Sequence, residues 1–324
     1  MLKYLKSIHL LDDEAANGLR SATVGRFQDC IICGDAEAVL RCLPEESVNC
    51  VVTSPPYFLQ RNYEHDQQIG TEESSDQYLQ RLLAVFKECF RVLKQDGTLW
   101  LNLGDKYLNN RLLGMPWRTA LALEQFGWIL RSDVIWHKPN AMPASITSRP
   151  TTDHEYVFLF SKSKRYRYFA DAIREPHVTF SDKSKMKGGR GHFGKAGGTP
   201  ETGKNKGQAN LHRARWDQAF HPRGRNKRTV WSIPLSKFPD AHFAVFPEKL
   251  VETCILAATE PNDIVLDPFL GSGTTALMAC RLGRHFVGVD CSEKFCRMSY
   301  DRINAEYPSL FFAKQTPETL EADS

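Results

Sequence analysis

The sequence predicts an α/β fold with a doubly wound, mostly parallel sheet, because apolar segments of strand length alternate with segments of helical periodicity. Its 324 residues, with 42% hydrophobic and 25% charged side chains, are ordinary for a globular protein with one large core or two smaller ones. Strands of this kind, separated by helices, are typical of a sheet covered on both faces. They are expected over 27–35, 47–53, 98–105, 128–136, 155–160, 263–267 and 285–290.

The predicted helices carry start and stop signals. Ser74 and Gln77 have the spacing of a capping box, and the apolar residues that follow recur at helical intervals. Pro116 suits the first turn of the next helix, and Gly127 suits its end. Further helices are expected from 36 to 43, over 247–259, over 274–283 and after 290.

Composition excludes several classes of protein. No apolar run is long enough to cross a bilayer, so no membrane partner is expected. The start MLKYLKSIHLLDDEAANGL has acids within its apolar part and no small-residue cleavage site, unlike a signal peptide. Cys30 and Cys33 form a C-x-x-C, but no second Cys or His pair lies at zinc-site spacing. We therefore predict buried thiols, no metal site and a cytoplasmic protein.

Positive charge is concentrated in one segment. The net charge is only +4, but thirteen lysines and arginines face three acids between Ser181 and Val230. The segment is rich in glycine, so it cannot build a core of its own. Histidine, phenylalanine and tryptophan, including Trp231 just after it, are interleaved with the cations. A solvated linker would explain the charge alone, whereas cations mixed with aromatics favour contact with nucleic acid.

This segment is predicted to interrupt one α/β domain. The expected boundaries are 1–164 and 241–324 for the two halves of that domain, with an inserted region over 165–240. The cations singled out for contact with nucleic acid are Lys187, Arg190, Arg213, Arg215 and Arg225.

A ligand site is predicted in LDPFLGSGTT, residues 266–275, where a strand, a glycine-rich turn and a helix follow one another. Gly271 and Gly273 allow a tight turn and the close approach of a ligand, and Asp290 ends the next strand at the spacing of a ribose-binding acid. A plain tight turn is the simpler explanation of G-x-G alone. Asp267 would repel a pyrophosphate but suits an ammonium group. The pattern therefore favours S-adenosylmethionine over a nucleotide.

A second site is predicted in VVTSPPYF, residues 51–58, an apolar strand that ends in a polar, rigid and aromatic sequence. The lone pair of an exocyclic amino group is delocalised into its ring, and two fixed hydrogen-bond acceptors can draw it back to the nitrogen. Ser54 offers a hydroxyl and Pro55 a carbonyl, which Pro56 holds rigid without an N–H that competes. Tyr57 offers a surface on which a flipped base can stack.

The motifs together resemble a known family. TSPPY, a basic insertion, HFAVFPEKLVE and LDPFLGSGTT follow one another in this order. This is similar to the β class of amino-group DNA methyltransferases, which are typical of bacterial restriction–modification systems. The resemblance covers roughly residues 27–305. It implies a circularly permuted, Rossmann-like fold, S-adenosylmethionine as cofactor and duplex DNA as partner. A homodimer and a cognate restriction endonuclease are further partners that it suggests.

The family pattern assigns roles to single residues. The catalytic positions are Ser54, Pro55, Pro56 and Tyr57. The cofactor-binding positions are Asp35, Thr53, Ala244, Phe246, Pro247, Asp267, Phe269, Gly271, Gly273, Thr274 and Asp290. Trp136, Lys138 and His154 match strands beside the target pocket and are the other substrate-binding candidates, and Glu155 matches the same strand as His154. Core packing explains Trp136 and His154 equally well.

Serine before the two prolines accompanies cytosine N4 methylation in this family more often than adenine N6 methylation. Cytosine N4 is therefore the favoured target and adenine N6 the alternative, since neither base is dictated by the chemistry of Ser54. Related motifs also occur in enzymes that act on RNA or protein glutamine. The permuted order favours DNA, and the presence of Ser54, Tyr57 and both loop glycines argues against a non-catalytic DNA-binding protein.

Overall fold

A computed structural model describes residues 8–10, 27–60, 68–176, 223–235, 246–308 and 310. Its strands are β1 (Ile8–Leu10), β2 (Cys30–Cys33), β3 (Val48–Thr53), β4 (Leu93–Leu103), β5 (Tyr107–Leu108), β6 (Arg111–Leu112), β7 (Ile129–His137), β8 (His154–Ser161), β9 (Val230–Ser232), β10 (Ile264–Asp267) and β11 (His285–Asp290). Its helices are α1 (Ala36–Cys42), α2 (Ser75–Val92), α3 (Met115–Phe126), α4 (Glu248–Ala258), α5 (Thr274–Arg281) and α6 (Glu293–Glu306). Backbone contacts divide the chain into a first unit, Met1–Tyr168 with Thr229–Ser324, and a second unit, Phe169–Arg228.

In the described part of the first unit, nine strands form one sheet in the order β1-β2-β11-β10-β3-β4-β8-β7-β9. All neighbouring strands are parallel except at β8, which runs antiparallel to both β4 and β7. The predicted α/β fold with a mostly parallel sheet is therefore confirmed. Because β8 is reversed, its first residues lie at the edge of the sheet where β3, β4 and β7 end.

The helices pack in two groups, α1 with α2 and α3, and α4 with α5 and α6. Their grouping agrees with the doubly wound arrangement that the sequence predicts. The cap of α2 is confirmed, since the Ser74 side chain accepts a hydrogen bond from the Gln77 N–H at 3.3 Å. Pro116 lies in the first turn of α3, and Gly127 ends that helix. None of the helices in the described ranges has the length and apolar character needed to cross a bilayer.

Several features of the sheet differ from the sequence-based expectations. β4 begins at Leu93, directly after α2, and not at residue 98. β9 lies within the range expected to be an insertion, but it pairs with β7 in the main sheet. Trp231 of β9 is only 4% exposed and packs on Trp100, with 6.0 Å between ring centroids. The suggestion that Trp231 stacks on bases is therefore wrong, because its ring is part of the core.

The central strands of the sheet are buried along their whole length. Every residue of β2, β3 and β10 is buried, as expected for parallel strands covered on both faces. Phe86 of α2 and Phe158 of β8 are fully buried in the same core. The nine cysteines remain thiols, and Cys33 and Cys50 are buried, which confirms the prediction of buried thiols.

The second unit is described over residues 169–176 and 223–228. Arg225 and Glu175 form a backbone bridge and an ion pair with a 3.1 Å separation. Lys227 lies 3.2 Å from the same carboxylate, and Arg223 lies 3.0 Å from Asp171. These acids precede the segment in which the positive charge was counted, so part of that charge is compensated locally.

Candidate active site

A cavity of about 310 Å³ opens at the carboxyl ends of β2, β3, β10 and β11. Ligands of open α/β sheets bind at this edge, where the loops after the strands converge. The cavity is lined on one side by residues of the glycine-rich turn and on the other by residues of the SPPY sequence. Two sequence motifs separated by more than 200 residues therefore share one cavity.

The glycine-rich turn has the backbone geometry that only glycine adopts easily. Gly271 has φ +53° and Gly273 has φ +80°. A Cβ on Gly273 would lie 2.8 Å from the Cβ of Ser299, whereas one on Gly271 would lie 4.0 Å from its nearest neighbour. Ser299 also donates a hydrogen bond to the Gly271 carbonyl at 2.7 Å. The turn is thus held against α6, while Gly271 faces the cavity.

Two acids follow neighbouring strands at the rim of the cavity. Asp290 ends β11, and its carboxylate accepts hydrogen bonds from the Gly271 N–H at 2.8 Å and the Ser292 N–H at 2.9 Å. Asp35 follows β2 and caps α1 by accepting from the Ala38 N–H at 2.9 Å. Each carboxylate oxygen has further lone pairs, so both acids can still accept hydrogen bonds from a ligand.

Asp267 is a buried carboxyl group at the end of β10, only 4% exposed. It accepts hydrogen bonds from the Thr53 hydroxyl at 2.7 Å and the Phe269 N–H at 3.0 Å. Burial raises its pKa to about 6, although these hydrogen bonds favour the charged form and oppose the shift. No lysine, arginine or histidine pairs with it in the described part of the chain. A buried carboxylate without a cation fits the ammonium group of a bound amino acid.

Side chains from three neighbouring strands meet beside this carboxylate. Ser54 follows β3, and its hydroxyl lies 3.1 Å from the Tyr57 hydroxyl. Asn102 of β4 donates to the Tyr57 hydroxyl at 2.6 Å and to the Ser54 hydroxyl at 3.3 Å. Tyr57 in turn donates to Glu155 of β8 at 2.7 Å. Burial and the negative charge of Glu155 hold the pKa of Tyr57 well above its usual range.

The backbone around the two prolines is also fixed. The Tyr78 hydroxyl donates to the Pro56 carbonyl at 3.0 Å. The Pro55 carbonyl receives no hydrogen bond from the described residues, and Pro55 lines the cavity. The Tyr57 ring lies against Gly104, where an added Cβ would come within 2.7 Å of the ring. The arrangement presents a hydroxyl and a carbonyl next to the ring of Tyr57.

Comparison with known proteins identifies the family. The family model N6_N4_Mtase, described as DNA methylase, matches residues 48–301. The chain belongs to the N6/N4 DNA methylase family. It is 39% identical to the Type II methyltransferase M.Cfr9I of Citrobacter freundii over 84% of this chain and 87% of that protein. It is 36% identical to M.SmaI of Serratia marcescens, with 84% and 90% covered.

Solved structures give the same result for the fold of this DNA methylase. TTHA0409 of Thermus thermophilus, solved with S-adenosyl-L-methionine, aligns with a TM-score of 0.56 and 27% identity over 86% of this chain and 95% of that one. The PvuII DNA methyltransferase aligns with a TM-score of 0.61 over 89% and 94%, at 22% identity, which is evidence for the fold alone. The cofactor of this methylase is S-adenosylmethionine, which supplies a methyl group on a positively charged sulfur.

The predicted cofactor residues of the methylase differ in their positions. Asp35, Phe246, Asp267, Phe269, Gly271, Thr274 and Asp290 line the cavity. Thr53, Pro247 and Gly273 are outside its lining: Thr53 hydrogen-bonds Asp267, and Pro247 and Gly273 are the N-cap residues of α4 and α5. Ala244 lies outside the described residues.

The predicted substrate residues of the methylase are also divided. Trp136 and Lys138 line the cavity, and the Lys138 ammonium lies 4.6 Å from the centre of the Trp136 ring. Trp136 is buried and donates from its indole N–H to the Ile233 carbonyl at 2.8 Å. His154 is outside the lining and packs edge to face on Tyr156. Lys187, Arg190, Arg213 and Arg215 lie outside the described residues, and Arg225 is paired with Glu175.

Sequence reasoning missed Asn102 and gave Glu155 no role of its own. Asn102 is 1% exposed, although it is a polar residue between two apolar neighbours, Leu101 and Leu103. That contrast in TLWLNLGD was the available signal, because a buried amide at a strand end requires partners. Which partners it has depends on how β3, β4 and β8 align, and a single strand does not contain that information.

Proposed function

We propose that this DNA methylase is a site-specific methyltransferase that transfers a methyl group from S-adenosylmethionine to N4 of a cytosine flipped out of duplex DNA. The observation that carries the proposal is the position of Ser54 and Tyr57 in the same cavity as Asp267, Gly271 and Asp290. A methyl donor on one side and acceptors for an amino group on the other are the two requirements of this reaction.

On the target side, Ser54 and Pro55 act as the acceptors. The Ser54 hydroxyl and the Pro55 carbonyl each accept one hydrogen bond from the amino group. Its lone pair is then less delocalised into the ring and can attack the methyl carbon. Tyr57 stacks on the flipped base, and Lys138 and Trp136 border the same pocket. Fixed dipoles and positioning provide the catalysis, so no metal is required.

On the cofactor side, each proposed contact matches a part of S-adenosylmethionine. Asp290 accepts from the ribose hydroxyls, and Asp35 lies near the adenine. Asp267 attracts the ammonium group of the methionine part, next to which Phe246 lines the cavity. Ala244 and Pro247 belong to the same proposed segment that closes over the methionine. Thr53 acts on this side by donating a hydrogen bond to Asp267, and Gly273 acts by allowing the shape of the turn.

The proposed base rests on Ser54. Serine at this position accompanies cytosine N4 in the family more often than adenine N6. Ser54 is a neutral acceptor where an aspartate would be a charged one, and neither choice dictates the base. Adenine N6 has the same amino geometry and is the alternative product that an experiment must separate.

The proposed partner in the cell is a restriction endonuclease that cuts the same sequence. The support is the 39% identity to M.Cfr9I and 36% identity to M.SmaI, both named as Type II methyltransferases. The cations Lys187, Arg190, Arg213, Arg215 and Arg225 are proposed to contact the DNA backbone around the target. A homodimer is a further proposal taken from the β class.

The test is single-molecule sequencing of DNA from a methylation-free bacterial host that expresses the chain. The proposal predicts N4-methylcytosine at one short sequence and nowhere else. The Ser54→Ala variant, expressed in the same host, provides the matched control and is expected to leave the DNA unmodified. Methylated adenine at one sequence would show that adenine N6, and not cytosine N4, is the target. Unmodified DNA with the wild-type protein would contradict the proposed function.

A further inference from the structure

Glu155 lines the cavity but has no role in the methyl transfer as described above. It is at the start of β8, and its side chain is 14% exposed. Its two oxygens have different partners: one accepts from Tyr57 and Asn102, both at 2.7 Å, and the other is paired with the Lys138 ammonium. A half-buried carboxylate is costly unless it is paired, so this arrangement requires an explanation.

Asn102 fixes the direction of the hydrogen bonds. Its amide nitrogen must face Glu155, because a carboxylate offers only acceptors and the amide oxygen would repel it. The second hydrogen of that nitrogen is shared between the Tyr57 hydroxyl at 2.6 Å and the Ser54 hydroxyl at 3.3 Å. Tyr57 uses its one hydrogen for Glu155, and its oxygen is left to accept the hydrogen of Ser54. The Ser54 oxygen can consequently accept from a target amino group.

We propose that Glu155 takes up the proton that the target amino group loses, through a relay formed by Ser54 and Tyr57. The inference rests on the proposed amino-group transfer, with either base as target. As the nitrogen lone pair bonds to the methyl carbon, the carbon–sulfur bond breaks and its electron pair stays on sulfur. The nitrogen then carries one proton too many. That proton passes to Ser54 while the Ser54 hydrogen passes to Tyr57 and the Tyr57 hydrogen to Glu155.

The products balance. The methylated amine is neutral, both hydroxyl groups are restored and Glu155 has become a carboxylic acid. Because the Glu155 side chain is partly exposed, it can then release this proton to solvent. The proton donor is the methylated nitrogen, which carries a positive charge and is attached to the ring, so it is a strong acid. A carboxylate is therefore a sufficient base, and the two hydrogen-bond lengths of 3.1 and 2.7 Å are within reach for proton transfer.

The relay is tested by the rate of methyl transfer in a single turnover. Glu155→Gln keeps the shape of the side chain but accepts no proton, and we expect it to slow transfer by about 100-fold or more. Tyr57→Phe keeps the stacking ring and should lose a similar factor. If both act in one relay, the double variant should be little slower than either single variant. Asp153→Asn, an exposed carboxylate two residues away, is the matched control and should transfer at the wild-type rate.

Chemical rescue separates proton acceptance by Glu155 from a purely structural role, because a structural defect would not respond to an added carboxylate. Formate added to Glu155→Ala should restore part of the transfer rate, since it supplies the missing carboxylate. Affinities for cofactor and DNA are measured alongside and should stay at wild-type values in Glu155→Gln. A wild-type rate in Glu155→Gln would overturn the relay. So would a loss that formate does not rescue and that adds to the loss in Tyr57→Phe, because Glu155 would then only hold the strands together.

Failure of the proposed function is visible separately in the same assay. The wild-type protein is measured first for the appearance of a methylated amino group in DNA. If none appears, the proposed function fails and the relay is overturned with it. If wild-type protein forms the product and Glu155→Gln forms it at the same rate, only the relay is overturned.

Discussion

The two sides of the cavity are held in place in different ways. On the proposed cofactor side, backbone N–H groups of Gly271 and Ser292 fix the carboxylate of Asp290, and the turn owes its shape to two glycines. On the proposed target side, side chains of β3, β4 and β8 fix one another. A fixed backbone turn is sufficient to bind a cofactor that is the same molecule in every reaction. Action on an amino group requires acceptors placed at single atoms, and here a network of side chains holds them in position.

The largest effect that separates the two sides is expected from Ser54→Ala. The variant removes one of two acceptors for the amino group and also one partner of Tyr57. Transfer in a single turnover should fall by about 100- to 1,000-fold, as when one fixed hydrogen-bond partner of a reacting group is removed. Calorimetric titration should give an unchanged affinity for S-adenosylmethionine. An affinity that fell together with the rate would show that the two sides are not separate.

Asp290→Ala should have the opposite pattern. The change removes the proposed acceptor of the ribose hydroxyls and the partner of two backbone N–H groups. Affinity for S-adenosylmethionine should fall by about 10- to 100-fold, the size of one to two charge-assisted hydrogen bonds. With saturating cofactor, transfer should recover most of its rate. Asp290→Asn, which keeps one acceptor oxygen, should lose less, and equal losses in both variants would contradict the assignment.

The two glycines of the turn offer a matched pair for stability. Gly273→Ala combines φ +80° with a contact of 2.8 Å to Ser299, and we expect it to lower the free energy of unfolding by about 2–4 kcal/mol. Gly271→Ala has φ +53° and no close neighbour, so about 1 kcal/mol is expected. Denaturant titration measures both. A larger loss for Gly271→Ala would show that backbone strain, rather than packing on α6, dominates this turn.

A small effect on cofactor affinity is expected from pH. The pKa of Asp267 is raised to about 6 by burial, so the carboxylate is mostly charged at pH 7 and mostly neutral at pH 5. Attraction for an ammonium group should therefore be lost as the pH falls, and affinity for S-adenosylmethionine should drop about tenfold between these values. Titration at both pH values checks this, and Asp267→Asn should remove most of the dependence.

The same group has the opposite effect on the unliganded protein. Its folded pKa of about 6 is above the ordinary value of 3.8, so the neutral form is favoured by folding. This carboxyl therefore contributes stability that is full below pH 3.8 and is lost as the pH rises through 6. Comparing unfolding of wild type and Asp267→Asn at pH 5 and 7 isolates that contribution, and a contribution that grew with rising pH would contradict the raised pKa.

The geometry of the proposed cofactor side, a tight turn next to an acid, was predictable from the sequence because its parts are contiguous or end consecutive strands. The turn Gly271–Gly273 and the acid Asp290 are encoded within 25 residues. The signals for α2 and α3 were equally local, since Ser74 and Pro116 act on their own helices. Periodicity and capping depend on near neighbours, so these elements could be placed before the fold was known.

The target side was only partly predictable. The direction of β8 decides that Glu155 lies beside Asn102, and strand direction depends on pairing across 53 residues of chain. The continuation from α2 directly into β4 also escaped prediction, because Lys94, Gln95 and Asp96 have no strand pattern. Trp231 was assigned to the basic segment by composition, although pairing of β9 with β7 buries it. Composition describes a segment and not the neighbours that it acquires.

The product of the reaction is identified by mass spectrometry of nucleosides from DNA methylated by the purified protein. With a cofactor whose methyl group is labelled with deuterium, only product formed by this protein carries the label. The proposed transfer to cytosine predicts labelled N4-methylcytosine. Labelled N6-methyladenine would contradict the assignment of the base to Ser54, and the absence of any labelled amino-methylated nucleoside across varied DNA would contradict the proposed function itself.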